Sequence, residues 1–325
     1  MDMKKIILTG IFYLMLSPLF GQQETQYGQY IYNGLYVNPA YAGYKEAIFA
    51  QAIYRAQWTG LKGAPQSLSV AFDAPITDKN IAVGAILTKD KIGAQSTLNA
   101  YANLAYRLRL NHNVFNVLAF GIGVGVMQTG LNGSLLTPEE VGDAKIPVGF
   151  ESRTMPSLRV GAQLSTETFF MGFSANNLFA KRLTTDNDFF ANLNTQEHFY
   201  FTAAMLFPVQ RDISLKPSFL IKDDLHGPTS LDINSFLIFK DKFSIGAVYR
   251  TSLNLFPRPA LQNNLLKKSA VGIMTDFLIK ERFRVGYGFD YSLNKLGNYG
   301  FGSHEISIGY YFNLAPVRNK LFFCF

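Results

Sequence analysis

A period of two runs through most of this chain. From Glu305 to Leu314, the apolar Ile306, Ile308, Tyr310, Phe312 and Leu314 alternate with Glu305, Ser307, Gly309 and Asn313. From Phe283 to Tyr291, Phe283, Val285, Tyr287, Phe289 and Tyr291 alternate with Arg284, Gly286, Gly288 and Asp290. Successive side chains of a strand point to opposite faces, so each segment is a strand with one apolar and one wet face. Val271–Ile279 and Phe243–Tyr249 repeat the pattern. Noisier versions cover Ala47–Ala56, Ser67–Ala74, Asn80–Thr88, Thr97–Leu108, Asn113–Gln128, Ser157–Leu164, Phe169–Asn176, His198–Phe207, Ile213–Lys222 and Ser230–Phe239. About fourteen strands result. Within Leu118–Val126 the wet face carries Gly121, Gly123 and Gly125, which leave room where a lumen plug or a strong bend lies close to the wall.

The connections sort by length. Every second one is tight: Pro75–Lys79, Asn111–His112, Ser165–Thr168, Pro208–Asp212, Lys240–Lys242 and Lys280–Arg282. The others are mostly long, above all Thr129–Pro156 and Asn177–Glu197, with Thr251–Lys268 and Asn294–Ser303 also extended. Short turns on one side and long loops on the other are the signature of an up-and-down barrel in an outer membrane. An even number of strands then puts both termini in the periplasm. A soluble propeller or jelly roll would alternate too, but it has no reason to sort its loops, and no blade-length repeat is present. In lipid every backbone N–H and C=O must be paired within the protein, so the sheet must close. The expected fold is all-β: a closed antiparallel up-and-down transmembrane β-barrel of about 14 strands, preceded by a periplasmic or plug segment.

Composition agrees. Charged residues are 16% of the 325, against roughly 25% in soluble domains, while Phe (29), Tyr (17) and Gly (27) are plentiful. Mean hydropathy is near zero, as expected where only every second strand residue meets lipid. The net charge of +7 comes from Lys and Arg scattered singly, without the basic cluster that nucleic-acid binding needs.

Lys4 and Lys5 followed by the apolar stretch Ile6–Phe20 read as a signal peptide over 1–21, too short for a spanning helix. The expected division is then a plug or periplasmic segment over 22–45, the barrel over 46–314 and a C-terminal periplasmic tail over 315–325. The tail reads as a partner-binding or lumen-inserting segment and holds the only cysteine, Cys324, which excludes an internal disulfide.

Catalytic and metal signatures are missing. His112, His198, His226 and His304 stand at no metal-ligand spacing. Gly121–Gly125 lies within a strand, where it cannot cradle phosphate. Glu139–Glu140, Asp186–Asp188 and Asp223–Asp224 read as solvated loop acids, and Ser303–His304, being adjacent in a strand, point to opposite faces. No enzyme activity, metal or cofactor is expected.

Two irregular stretches carry more specific information. The first is Gln29-Tyr30-Ile31-Tyr32-Asn33-Gly34-Leu35-Tyr36-Val37-Asn38-Pro39-Ala40-Tyr41-Ala42-Gly43, in which Asn38-Pro39 starts a turn that Gly43 ends. The second is Arg55-Ala56-Gln57-Trp58-Thr59-Gly60-Leu61-Lys62-Gly63-Ala64-Pro65-Gln66-Ser67, with the chain's only Trp and an ordered loop shaped by Gly60, Gly63 and Pro65. Together they resemble the PorP/SprF family of type IX secretion system outer-membrane proteins. The residues that carry the resemblance are Asn38, Pro39, Ala40, Tyr41, Ala42 and Gly43, then Gln57, Trp58, Gly60, Gly63, Ala64 and Pro65, and they read either as scaffold or as partner contacts. The resemblance implies an outer-membrane location in a Gram-negative bacterium. It implies export or surface anchoring of cargo proteins that carry a C-terminal sorting domain, gliding adhesins among them. The implied partners are that cargo, periplasmic and outer-membrane components of the type IX machinery, and outer-membrane lipid. The competing expectation is a passive or substrate-specific pore of the 14-strand fatty-acid-transporter type.

Overall fold

A computed structural model describes residues 27–76, 80–110, 116–136, 147–179, 196–255 and 268–313. Its strands are β1 (Ile48–Ala56), β2 (Gln66–Pro75), β3 (Ile81–Ile92), β4 (Gln95–Arg109), β5 (Val117–Asn132), β6 (Phe150–Ser165), β7 (Phe169–Asn176), β8 (His198–Met205), β9 (Phe207–Gln210), β10 (Ile213–Asp223), β11 (Thr229–Phe239), β12 (Phe243–Leu253), β13 (Lys268–Ile279), β14 (Phe283–Ser292) and β15 (Ser303–Asn313). Neighbours in sequence pair antiparallel, and β15 returns to β1 in the register Arg55↔Glu305 and Ala52↔Ile308, which closes the sheet. β8 and β9 pair one after the other along β10, so fifteen strands make a closed barrel of 14 staves. Their interruption falls between Ser218↔Ala204 and Leu215↔Phe207, opposite Lys216 and Pro217. A proline supplies no N–H to a ladder.

The alternation read from sequence fixes which way each residue points. On β2, Leu68, Val70 and Phe72 are exposed on the outside, while Ser67, Ser69, Ala71 and Asp73 are buried inside. On β5, Phe120, Ile122, Val124 and Val126 face out; on β15, Ile306, Ile308 and Phe312 do. Apolar side chains outside and polar ones inside invert the arrangement of a soluble protein and suit a wall in lipid. Among the described residues no helix is long and apolar enough to cross a membrane; the strands do the crossing.

Connections 166–168, 211–212, 240–242 and 280–282 gather on one rim, here the short-turn rim. The opposite, long-loop rim carries 57–65 and 293–302, the brief 93–94 and 224–228, and the described ends of the connections from β5 to β6, β7 to β8 and β12 to β13. Two boundaries differ from expectation. The loop expected over Thr129–Pro156 is shortened at both ends, because β5 runs on to Asn132 and β6 starts at Phe150, paired with each other. Here Thr129, Gly130, Ser152 and Thr154 replace the apolar alternation; a ladder that has risen above the lipid needs no greasy face. The turn expected over Pro208–Asp212 shrinks to 211–212, because Pro208 belongs to β9. The expected signal peptide, the C-terminal tail, the turn Asn111–His112 and the centres of the longest loops lie outside the described residues.

The wall is uneven in height. β6 pairs with β5 from Phe150 to Ser165 but with β7 only from Val160 to Ser165, so β3–β6 rise above β7 and β8 on the long-loop side. Inside the wall, the core is supplied by the chain that precedes β1.

Candidate functional site: a lumen plug and a rim loop

The segment 27–47 winds through the lumen in three short 3₁₀ turns, Gly28–Tyr32, Gly34–Tyr36 and Pro39–Tyr41, and nearly all of it is buried. Two asparagines shape it. Asn33 and Asn38 each accept, through the side-chain oxygen, the N–H two residues on, from Leu35 (3.2 Å) and Ala40 (2.9 Å). This is the Asx geometry that starts a turn, and Pro39 supplies a φ already suited to the first helical position.

Every member of the first motif meets the wall or packs within the plug. Asn38 donates from Nδ2 to the carbonyls of Ala162 on β6 (3.0 Å) and Phe173 on β7 (3.3 Å). Its side chain lies where a Cβ on Gly161 or Gly172 would stand, and a Cβ on Gly121 would overlap the Pro39–Ala40 peptide. Tyr41 packs at a tilt against Tyr44, ring centres 4.9 Å apart, and meets Phe170 edge-on. Ala42 is fully buried, and Gly43, at φ 71°, donates its N–H to Asp73 Oδ2 (3.1 Å). Gly121 on β5, Gly161 on β6 and Gly172 on β7 thus form the bed of this part of the plug.

Four further contacts pin the segment. Arg159 on β6, fully buried, donates from Nη2 to the carbonyls of Leu35 and Tyr36, both at 3.0 Å, and from Nε to Asn176. Ser174 donates to the carbonyl of Val37 (2.7 Å). Asn234 donates to the Tyr30 hydroxyl (2.8 Å). Glu305, on the long-loop half of β15, receives the N–H groups of Gly28 (2.8 Å) and Gln29 (2.6 Å), and Gln29 reaches on to Ser307. The described chain therefore begins high in the lumen and descends to the short-turn rim before turning into β1.

Glu305 also belongs to an ion-pair chain across the long-loop half of the lumen. Arg55 bridges Glu305 and Asp290, both at 2.8 Å. Arg250 joins Asp290 (2.5 Å) to Asp232 (3.6 Å), which pairs with Lys222 (3.0 Å). Such buried charges are tolerable because each has a partner; removal of one would strand the next. Near the short-turn rim, Lys45 is buried with its Nζ 3.3 Å from the centre of the Phe49 ring. Burial holds its pKa well below the usual lysine value, partly countered by Asp73.

The second motif lies elsewhere, on the long-loop rim. Gln57 N–H donates to the Pro65 carbonyl (2.9 Å), closing the loop on itself. Trp58, at φ 46°, donates from Nε1 to Ser292 Oγ (3.0 Å) and from its backbone N–H to Ser303 Oγ (3.2 Å). Thr59 exchanges backbone hydrogen bonds with Gly302 and Phe301, all 2.8 Å. Gly60 and Gly63 hold left-handed conformations (φ 95° and 77°), Ala64 N–H donates to Leu61, and the Gly63 carbonyl accepts from Gly93. The loop spans the β1–β15 seam and ties the first hairpin to the last.

The structure thus separates the twelve motif residues into two groups, six in the lumen and six on the rim, joined by β1. The sequence places Glu305, Asp290 and Arg250 on polar faces but does not join them with Arg55, Asp232 and Lys222 into a chain, nor link Arg159 to the plug. Their signal was present: charged residues at the wet positions of otherwise apolar strands. Asp223 and Asp224 accept backbone N–H groups of Leu225, His226 and Gly227 and so cap their loop. Among the described residues no group of three His, Cys, Asp or Glu side chains could hold a metal; His112, Glu139–Glu140 and Asp186–Asp188 lie outside them.

Among solved structures, the chain is similar to the Ralstonia pickettii toluene transporter TbuX, at 10% identity over 86% of this chain and 93% of that one, with a TM-score of 0.54. It is also similar to the Acinetobacter baumannii outer membrane protein Omp33 (8% identity, 82% and 96% covered, TM-score 0.46) and to a Pseudomonas aeruginosa FadL homologue (12%, 85% and 93%, 0.45). At such identities the likeness concerns the fold, an outer-membrane-type barrel. No curated protein matches the chain. Residues 19–310 match the family described as "Type IX secretion system membrane protein PorP/SprF". That span takes in both motifs and nearly the whole wall, and the chain belongs to the PorP/SprF family of type IX secretion system membrane proteins.

Proposed function

We propose that this barrel helps export, or hold at the cell surface, cargo proteins that carry a C-terminal sorting domain, gliding adhesins among them, and that it does so as a non-enzymatic receptor or anchor. The observation that carries this reading is the plug: segment 27–47 fills the lumen and is bonded to β6, β7, β11 and β15. A barrel built around a wall-bonded plug is suited to presenting a fixed surface rather than passing solutes. In the outer membrane of a Gram-negative cell the long-loop rim faces outward, where cargo is met, and the short-turn rim faces the periplasm and the rest of the machinery. Both ends of the wall, Ile48 and Asn313, then stand on the periplasmic side.

The test compares cells with and without this protein for surface-held proteins bearing C-terminal sorting domains. Loss of those proteins from the surface of the null strain supports the reading; an unchanged surface population rejects it. The second reading is a substrate-specific or passive pore, favoured by the likeness to the toluene transporter TbuX. Steady current through the purified barrel in a planar bilayer would favour it over the anchor.

A further inference from the structure

Among the described residues, the top of β6 is a sheet edge without a neighbour. β6 pairs with β5 along its whole length, Phe150–Ser165, but with β7 only from Val160 onward. One further bond, from the Leu178 N–H to the Leu158 carbonyl (3.1 Å), ends the ladder on that side. Backbone groups of successive residues point to opposite edges of a strand, so Phe150, Ser152, Thr154 and Pro156 share the edge to which Leu158 points. The sequence agrees: Pro156, which has no N–H, stands where it breaks no bond to β5. All four residues are exposed, and among the described residues none pairs with them on that edge.

The groups on this edge decide what it can hold. Ser152 and Thr154 each present one N–H and one C=O, repeated at the pitch of an extended chain, about 3.3 Å per residue. Another strand carries the same alternation of donor and acceptor; a lipid headgroup does not. Free edges are ordinarily paired, covered or blunted. Here Pro156 blunts the base and leaves Ser152 and Thr154 above it. A second copy of the barrel fits poorly. Two barrels in one membrane are related by a rotation about its normal, and strands tilted by about 40° then cross at about 80° instead of lying side by side. The edge stands on the long-loop rim, above the low wall of β7 and β8. Pairing through the main chain gives affinity without requiring one side-chain sequence, which suits a barrel that serves several cargo proteins.

We infer that the free edge of β6 at Ser152 and Thr154 takes an added strand from the surface-held cargo, so that the barrel's sheet continues into its partner. The inference rests on the anchor reading above and gives it a contact. Ser152 and Thr154 donate and accept through the main chain, and their side chains take no necessary part.

The test uses the full chain in cells, with Thr154→Pro and Thr154→Ala beside wild type and the null strain. Barrel folding is followed by heat-modifiable gel mobility, and retention by the surface-held fraction of proteins with C-terminal sorting domains. Thr154→Pro removes an N–H from the open edge and leaves the ladder to β5 whole, so the amount of folded barrel is unchanged. It weakens retention about five-fold, the effect of one neutral hydrogen bond of about 1 kcal/mol. Thr154→Ala, which keeps the main chain, retains cargo as wild type does. That pair of results supports the added strand. Wild-type retention by Thr154→Pro, in cells whose null strain loses the cargo, overturns it and leaves the anchor reading standing; so does an equal loss in both variants, which assigns the contact to the side chain. Retention by the null strain itself overturns both. If Thr154→Pro fails to fold, a photo-crosslinking residue at Ser152 decides the matter. Adducts with a protein bearing a C-terminal sorting domain support the added strand. Adducts confined to the barrel's own chain, or none, overturn it.

Discussion

Gly121→Ala isolates the contact between wall and plug. The added Cβ would overlap the Ala40 nitrogen and the Pro39 carbonyl carbon, which are backbone atoms and cannot rotate aside. Overpacking of this kind costs about 1–3 kcal/mol, and an unyielding neighbour belongs near the top of that range. Replacing a strand glycine returns about 0.5–1 kcal/mol, so the net loss is about 2 kcal/mol. Gly123→Ala, two residues along on the same face, is the control. Its Cβ would press on the amide end of Asn103, which can turn away, and would reach only ordinary contact with Arg159 Cβ. Its net effect is expected within about 0.5 kcal/mol of zero. The assay is urea unfolding of the purified protein from lipid vesicles, followed by the fluorescence of Trp58, the single tryptophan, whose indole bonds to Ser292 across the closing seam. With a slope of about 2 kcal/mol per molar urea, Gly121→Ala lowers the midpoint by about 1 M. Indistinguishable midpoints for the two variants would refute the close fit of plug to wall.

Three other perturbations have expected outcomes. Arg159→Met leaves the carbonyls of Leu35 and Tyr36 without their buried donor and costs about 2–4 kcal/mol by urea midpoint; a loss under 1 kcal/mol would mean the plug is held elsewhere. The turns at 240–242 and 280–282 place Lys240, Asp241, Lys280 and Glu281 at φ of 49–59°, where an L side chain is disfavoured, so Asp241→Gly and Glu281→Gly each stabilise by about 0.5–1 kcal/mol; unchanged or lower midpoints count against that. Lys45 has a depressed pKa in the folded state, so the unfolded chain binds more protons and stability rises with pH, levelling above the unfolded lysine value of about 10.4. Comparing urea midpoints from pH 8 upward, Lys45→Met removes that part of the rise; the same slope in both proteins would show that Lys45 does not release its proton on folding.

The wall was legible because one physical rule, side chains alternating across a strand in lipid, writes itself into every segment. It ceased to be legible where the rule stops applying. Above the membrane, Thr129–Asn132 and Phe150–Thr154 pair without apolar alternation and read as loop. The split of the eighth stave left only Pro208 and Pro217 as marks, and proline also announces turns. The glycines of β5 did foretell a close neighbour, but nothing local named it. The plug has no period, because its partners are scattered over β6, β7, β11 and β15 rather than along one face. Asn38 reads as a turn starter from its neighbour Pro39; that its amide also bridges two strands more than a hundred positions away follows only from the closed barrel.

The bonds from Gly28 and Gln29 to Glu305 span 277 and 276 positions, almost the full described chain. Contacts of such separation carry a large loop-closure cost, which falls once the wall between them has formed, and so they favour a late place in folding. The plug is made first and fastened last. Its upper bond does not exist until β15 has met β1, and that same step brings Trp58 to Ser303. Maturation of this protein therefore has a built-in completion mark: a chain stalled before its final hairpin carries an unfastened plug and an open seam together, and one event cures both.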